Sequence, residues 1–229
     1  MFMPLGDDDS RLQITPFVTF ALIGLNVVVF LLQLAQGSGI ETFINTWSVV
    51  PAEYSQTADL APTHAGPFWI TTLSSMFMHG GWMHLGGNML FLWVFGDNVE
   101  AAMGHAKYLV FYLLTGLAAT AAHIALNAGS MIPSLGASGA ISGVLGAYII
   151  MFPKQKVKVM MGRGVTQMPA LMVIGMWIVF QFINGIGQLA NTAETGGVAY
   201  AAHVGGFVAG LALVFVFRDK AKERVLDGV

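Results

Sequence analysis

All ten lysines and arginines of this chain fall in four stretches, and long apolar runs separate them. A helix needs about 20 mostly apolar residues to cross a hydrocarbon layer of about 30 Å. Six such runs are present: Phe17–Leu34, Trp82–Val99, Lys107–Leu126, Ser138–Pro153, Pro169–Gly187 and Ala199–Phe217. Thr15 is expected as N-cap of the first, with Pro16 at its first helical position. Arg11 then precedes the first span, and Lys107 lies between the second and third. Lys154, Lys156, Lys158 and Arg163 lie between the fourth and fifth, and Arg218, Lys220, Lys222 and Arg224 follow the sixth. The other loops hold no basic residue. Loops enriched in Lys and Arg are cytoplasmic, and acidic residues do not count in that rule. Both termini are therefore expected on the cytoplasmic side, the acidic "GDDDSR" notwithstanding.

Composition agrees with this count. Charged residues make up 10% of the chain and hydrophobic ones 55%, whereas a soluble domain carries about 25% charged residues. The reading is an all-α membrane protein, a six-transmembrane-helix bundle forming one domain. Residues 1–16 are a short cytoplasmic segment, 17–217 the helical domain, and 218–229 a cytoplasmic basic tail. No cysteine is present, so neither a disulfide framework nor a thiolate nucleophile is available. A net charge of −2 argues against a nucleic-acid partner. The first residues lack a basic n-region, so the first apolar run is expected to be a retained span rather than a signal peptide.

Orientation makes the polar residues informative. The second, fourth and sixth spans start at the outer face. His84, Asn88, Ser138 and His203 all lie in the first turns of those spans, so they share one level in the outer half of the membrane. Only about 15 residues separate the start of the fourth helix from Pro153. That length covers about 22 Å, too little for the whole core. Ser138 is therefore expected at a buried helix start, with "NAGSMIPSLGA" dipping in to meet it. Irregular backbone at that depth needs protein or a water-filled cavity around it. A purely packing role competes, because "GASGAISGVLG" carries Gly139-x-x-x-Gly143 and a Ser138, Ser142, Gly146 stripe, and small residues let helices approach closely. The partner helix tips the balance. His203 shares one face with Gly206 and Gly210, so a smooth glycine face brings the imidazole against the small stripe at the depth of Ser138.

The chemistry follows from that meeting. A serine hydroxyl needs a base to become a good nucleophile, and a neutral imidazole suits the task. No carboxylate lies in the outer half of any span, so a Ser–His dyad is expected, not a triad. Asp97 and Glu100 fall at the cytoplasmic end of the second span, where a structural role beside Lys107 is expected. Acyl transfer also needs oxyanion donors. His84 and Asn88 lie one above the other at i and i+4, and the N–H of Ser138 at a helix start can add a third donor. Gly136 leaves room for a substrate backbone.

These residues resemble the rhomboid family of intramembrane serine proteases. The matching motifs are "HGGWMHLGGN" (His79, His84, Asn88), "GASG" (Gly136 to Gly139) and "AHVGGFVAG" (His203, Gly206, Gly210). "GDNVEAAMGHAKYLVFYLLTG" is similar to the family's passage from the second helix to the third. The resemblance runs in order from Trp69 to Phe217. It implies a six-helix fold, no cofactor and no metal, and an endopeptidase that cleaves single-span transmembrane proteins in or near their transmembrane segment. Carried over, Ser138 is the nucleophile, His203 the base, and His84, Asn88 and the Ser138 N–H the oxyanion site. Gly136 takes the place of the family's motif glycine two before the serine.

Two positions depart from the pattern. Many members carry an aromatic four residues after the serine, where this chain has Ser142. The orientation of His203 must then come from the Ser142 hydroxyl or from an aromatic of another helix. The loop after the first span has Trp69 without the family's arginine. From the resemblance and the basic-residue pattern, a bacterial inner or plasma membrane is expected, with an organelle membrane as the alternative and the site opening outward. Substrate helices are expected to enter between the second and fifth spans. A catalytically silent rhomboid-like client-binding protein and a small six-span channel or transporter remain alternatives.

Several residues have ordinary readings. His79 is expected to structure the first loop by a hydrogen bond, because its spacing from His84 does not suit a metal. Asn26, His123 and Asn127 are expected to form interhelical bonds. Trp47, Tyr54, Phe68 and Trp69 are expected in a half-immersed interfacial element, and "KQKVKVMMGRG" as a cytoplasmic stop touching lipid headgroups.

Overall fold

The computed structural model describes residues 2–8, 10, 12, 14–56, 68–162, 164–190 and 199–227; of the basic residues, Arg11 and Arg163 lie outside these. Strand β1 (Phe2–Gly6) precedes helix α1 (Phe17–Ala35). Short helices α2 (Ile40–Trp47), α3 (Pro51–Gln56) and α4 (Phe68–Ser74) follow. Then come α5 (Trp82–Met103), α6 (His105–Leu126) and α7 (Ser138–Met151). Strands β2 (Lys156–Met161) and β3 (Gly164–Pro169) lead into α8 (Ala170–Ala190), α9 (Tyr200–Phe217) and α10 (Lys220–Asp227). The six expected spans are α1 and α5 to α9. Helices α1, α6, α8 and α9 are each long and apolar enough to cross a membrane. Helix α5 is long but polar at both ends, and α7 has only 14 residues.

Helix α7 runs through the middle of the bundle. Every residue from Gly139 to Tyr148 is buried, which a helix without a polar face requires. Its small residues set how closely its neighbours come. A Cβ on Gly206 would lie 2.0 Å from the Gly139 carbonyl oxygen, and one on Gly210 would lie 2.1 Å from that of Gly143. A Cβ on Gly143 would meet Thr115 of α6 at 2.3 Å. Helices α7 and α9 therefore touch backbone to backbone, with α6 pressed against the same stripe.

Three details differ from what the sequence led us to expect. The chain is not wholly helical: β1, β2 and β3 form an antiparallel sheet in that order. Val157 and Val159 point inward and Lys156 and Lys158 outward, the alternation of a half-buried strand. The basic stretch was legible as charge, but its strand partner is the chain's N-terminal segment, far away in sequence. Asp7 holds that segment down by accepting from Asn98 Nδ2 at 2.8 Å and from the Tyr148 hydroxyl.

The start of α1 is the second correction. Pro16, not Thr15, occupies the cap position, and no side chain of the segment caps the helix. Glu100 of α5 does so instead. Its carboxylate accepts from the N–H of Val18 at 2.9 Å and from the N–H and hydroxyl of Thr19, each at 2.7 Å. A carboxylate is favoured there because the first N–H groups of a helix lack partners and carry its positive dipole end. Glu100 also lies 2.5 Å from His105 Nδ1, so its neighbours are α1 and His105 rather than Lys107. Third, Asn26 donates within its own helix, from Nδ2 to the Leu22 carbonyl at 2.7 Å, as well as facing Tyr112 of α6.

Candidate active site

The starts of α5, α7 and α9 and the end of α6 surround one cavity of about 570 Å³. His84, Asn88, His123, Asn127, Ser138 and His203 all line it. The first residue of α7, Ser138, forms part of its wall. The loop ahead of α7 closes one side. Val49 and Ser134 exchange backbone hydrogen bonds of 3.1 and 2.7 Å, and the Gly136 N–H donates to the Ser75 carbonyl at 2.8 Å. These bonds meet the rule that irregular backbone at depth must be satisfied by protein.

His203 Nε2 lies 2.8 Å from Ser138 Oγ. The other ring nitrogen, Nδ1, lies 2.8 Å from Gln181 Oε1 of α8. An amide oxygen only accepts, so Nδ1 carries the proton and Nε2 presents its lone pair to the serine hydroxyl. The ring is 7% exposed. Trp177 of α8 packs on it with centroids 5.8 Å apart, and Tyr200 meets it edge-on at 6.4 Å. Ser142 does not reach the imidazole; its hydroxyl donates back to the Ser138 carbonyl at 2.6 Å. Of the two sources considered for orienting His203, the structure has the aromatic from another helix, and it adds an amide. Gln181 is a residue the sequence reading missed. Its signal was present, because "MWIVFQFING" holds a single glutamine in an apolar run and Trp177 stands four before it. Which neighbour that face would meet was not legible.

The second wall is built by α5. The His84 Nδ1 accepts from the Gly80 N–H at 3.3 Å, which leaves Nε2 as the protonated donor. That edge lies over Gly136, whose φ is +131°. A Cβ there would stand 2.8 Å from His84 Nε2. The space on the Cβ side of Gly136 is thus taken by the imidazole. Asn88 Nδ2 lies 2.9 Å from His79 Nε2. One amide N–H donates to His79, which leaves the second available.

His79 sits in the turn ahead of α5. Its backbone is clasped by Gln33 of α1, whose Oε1 accepts from the His79 N–H at 2.9 Å and whose Nε2 donates to the His79 carbonyl at 3.1 Å. Burial, and secondarily the neighbouring His84, pushes the His79 imidazole down to about 4. It is therefore neutral near pH 7 and able to accept from Asn88. His123 and Asn127 bond within α6, with Asn127 Nδ2 2.9 Å from the His123 carbonyl, not between helices as expected. Trp69 is largely exposed, while Tyr54 donates to the Phe68 carbonyl at 2.8 Å and stacks on its ring.

Residues 67–220 match the family profile described as "Rhomboid domain". The chain is 30% identical to "Rhomboid protease GluP" of Bacillus subtilis over 93% of its own length and 38% of that protein's. It is 29% identical to "Rhomboid protein 1, mitochondrial" of Saccharomyces cerevisiae over 85% of its own length and 51% of that protein's. It is 28% identical to "Rhomboid protease AarA" of Providencia stuartii, covering 84% of this chain and 69% of that one. The chain thus spans about half or less of the first two relatives.

Proposed function

Because this chain belongs to the rhomboid family, whose fold and apolar helices make it an integral membrane protein, we propose that it is an intramembrane serine endopeptidase in which Ser138 and His203 form the reacting pair. The 2.8 Å contact between His203 Nε2 and Ser138 Oγ, at the cavity enclosed by α5, α6, α7 and α9, carries this reading. The hydroxyl proton passes to Nε2 as Oγ attacks the scissile carbonyl carbon. The carbonyl oxygen gains negative charge and accepts from three donors: His84 Nε2, the second N–H of Asn88, and the Ser138 N–H at the start of α7. The C–N bond breaks, and the proton on Nε2 goes to the leaving amine. Water from the cavity, deprotonated by the same nitrogen, then releases the acyl group.

The substrates we propose are single-span transmembrane proteins, since only an extended segment can present a carbonyl in so enclosed a site and a helical substrate must unwind there. The catalytic end faces outward and both termini face the cytoplasm, in line with the distribution of lysine and arginine. Residues 17–217 form the catalytic domain, 1–16 and 218–229 its cytoplasmic ends.

Labelling with a fluorophosphonate tests this reading. Wild-type protein is expected to label, while Ser138→Ala and His203→Ala do not. Labelling that survives Ser138→Ala removes the nucleophile from this account. A folded wild type that neither labels nor cleaves is instead a silent client-binding protein.

A further inference from the structure

Helix α8 turns a broad apolar face outward: Val179, Phe180, Phe182 and Ile183 are all exposed. Among them Gln181 is turned inward and is only 9% exposed. An inward amide in such a helix needs a polar partner, and it has one in the Nδ1 of His203 at 2.8 Å. The contact lies directly behind the contact to Ser138 at 2.8 Å. Ser138 Oγ, the imidazole and Gln181 Oε1 thus form one continuous chain of hydrogen bonds across α7, α9 and α8.

We propose that Gln181 is a positioning residue for the Ser138–His203 pair, its amide oxygen holding His203 in the tautomer and rotation that aim the Nε2 lone pair at the serine hydroxyl. The inference rests on the proposed serine chemistry. Without an acceptor behind it, the neutral ring can carry its proton on Nε2, where it cannot take one from Ser138. As the serine proton arrives at Nε2, the Nδ1 proton stays where it is, and the amide dipole stabilises the positive ring that results. A carboxylate at this position can do the same, because it also accepts from Nδ1. Trp177, one turn away on the same face, restrains the ring by packing but offers Nδ1 no acceptor.

The test compares Gln181→Leu with Gln181→Glu in the full chain in detergent, by fluorophosphonate labelling rate and by turnover of a transmembrane substrate. Leucine keeps the apolar volume and removes the acceptor. It is expected to slow labelling at least about tenfold, the worth of one lost buried hydrogen bond, with the loss in kcat and not in KM. Glutamate is expected to restore at least half of the wild-type rate. Packing alone predicts the reverse order, since leucine suits an apolar helix and glutamate does not. Labelling of Gln181→Leu at the wild-type rate, or a glutamate variant as slow as the leucine one, overturns the inference. Should leucine lower thermal stability, the glutamate rate decides alone. A wild type that does not label at all strikes the serine hydrolase reading itself and removes this inference with it.

Discussion

The contact between α7 and α9 leaves no room for a methyl group at Gly206. A Cβ there would stand 2.0 Å from the Gly139 carbonyl oxygen, 3.0 Å from its carbon and 3.3 Å from the Ala119 Cβ. Ordinary contact begins at 3.4 Å, so Gly206→Ala must part the two backbones by about 1.4 Å, the difference between 3.4 and 2.0 Å. No side chain can move aside, because the nearest atoms are main chain. Overpacking of this kind costs about 1–3 kcal/mol. The same displacement stretches the hydrogen bond one turn away. His203 Nε2 and Ser138 Oγ, now at 2.8 Å, would separate past the distance at which such a bond retains strength. Gly206→Ala is thus expected to lower thermal stability in detergent and to abolish fluorophosphonate labelling. Gly24→Ala on α1 is the control, since a Cβ there meets nothing within 4 Å, and it should match wild type in both assays. A Gly206→Ala protein that labels at the wild-type rate with unchanged melting would show that the helices are not held in backbone contact, and the geometry argued for the pair would fall.

Three other outcomes are expected. Asn88→Ala removes an oxyanion donor and should cut turnover by about 10²-fold, while the protein remains folded by size exclusion; undiminished turnover would take Asn88 out of the site. Glu100→Ala strands the first N–H groups of α1 and should cost about 1–3 kcal/mol of stability, read by thermal melting, yet leave the labelling of surviving folded protein intact because it lies at the opposite end of the bundle. His79 is neutral in the folded protein, with its imidazole lowered to about 4 against about 6.5 unfolded. The unfolded chain therefore binds more protons between those values, so stability is full above about pH 6.5 and declines toward pH 4. A melting-temperature profile that slopes equally in His79→Asn would contradict that source.

Much of the site was legible because its parts obey local rules. Ser138, His84 and His203 each lie in the first turn or two of an apolar run, and with three spans entering from one side, the short fourth one starting deeper, the three come to a similar depth. The glycines at 206 and 210 lie on the histidine's own face by helical period alone. The partner of Glu100, the acceptor for His203 and the place of Gly136 were not legible, because each depends on how one helix is rotated against another. Gln181 and Asn184 are polar side chains three residues apart on α8, yet only the turn of α8 about its axis decides which of them faces the imidazole. The sheet escaped for a related reason: β2 shows strand alternation, but nothing local says that the first residues of the chain will pair with it.

By itself the sequence determined how many times the chain can cross a membrane, which loops are basic, and that a hydroxyl and an imidazole arrive at one depth, since length, charge and helical period are properties of single segments. Tertiary structure decided that the imidazole is clasped from behind by an amide, that one histidine fills the room above a glycine, and that a distant carboxylate starts the first helix. Those are contacts between segments, and the free energy that selects them comes from packing surfaces that exist only when all the helices are assembled.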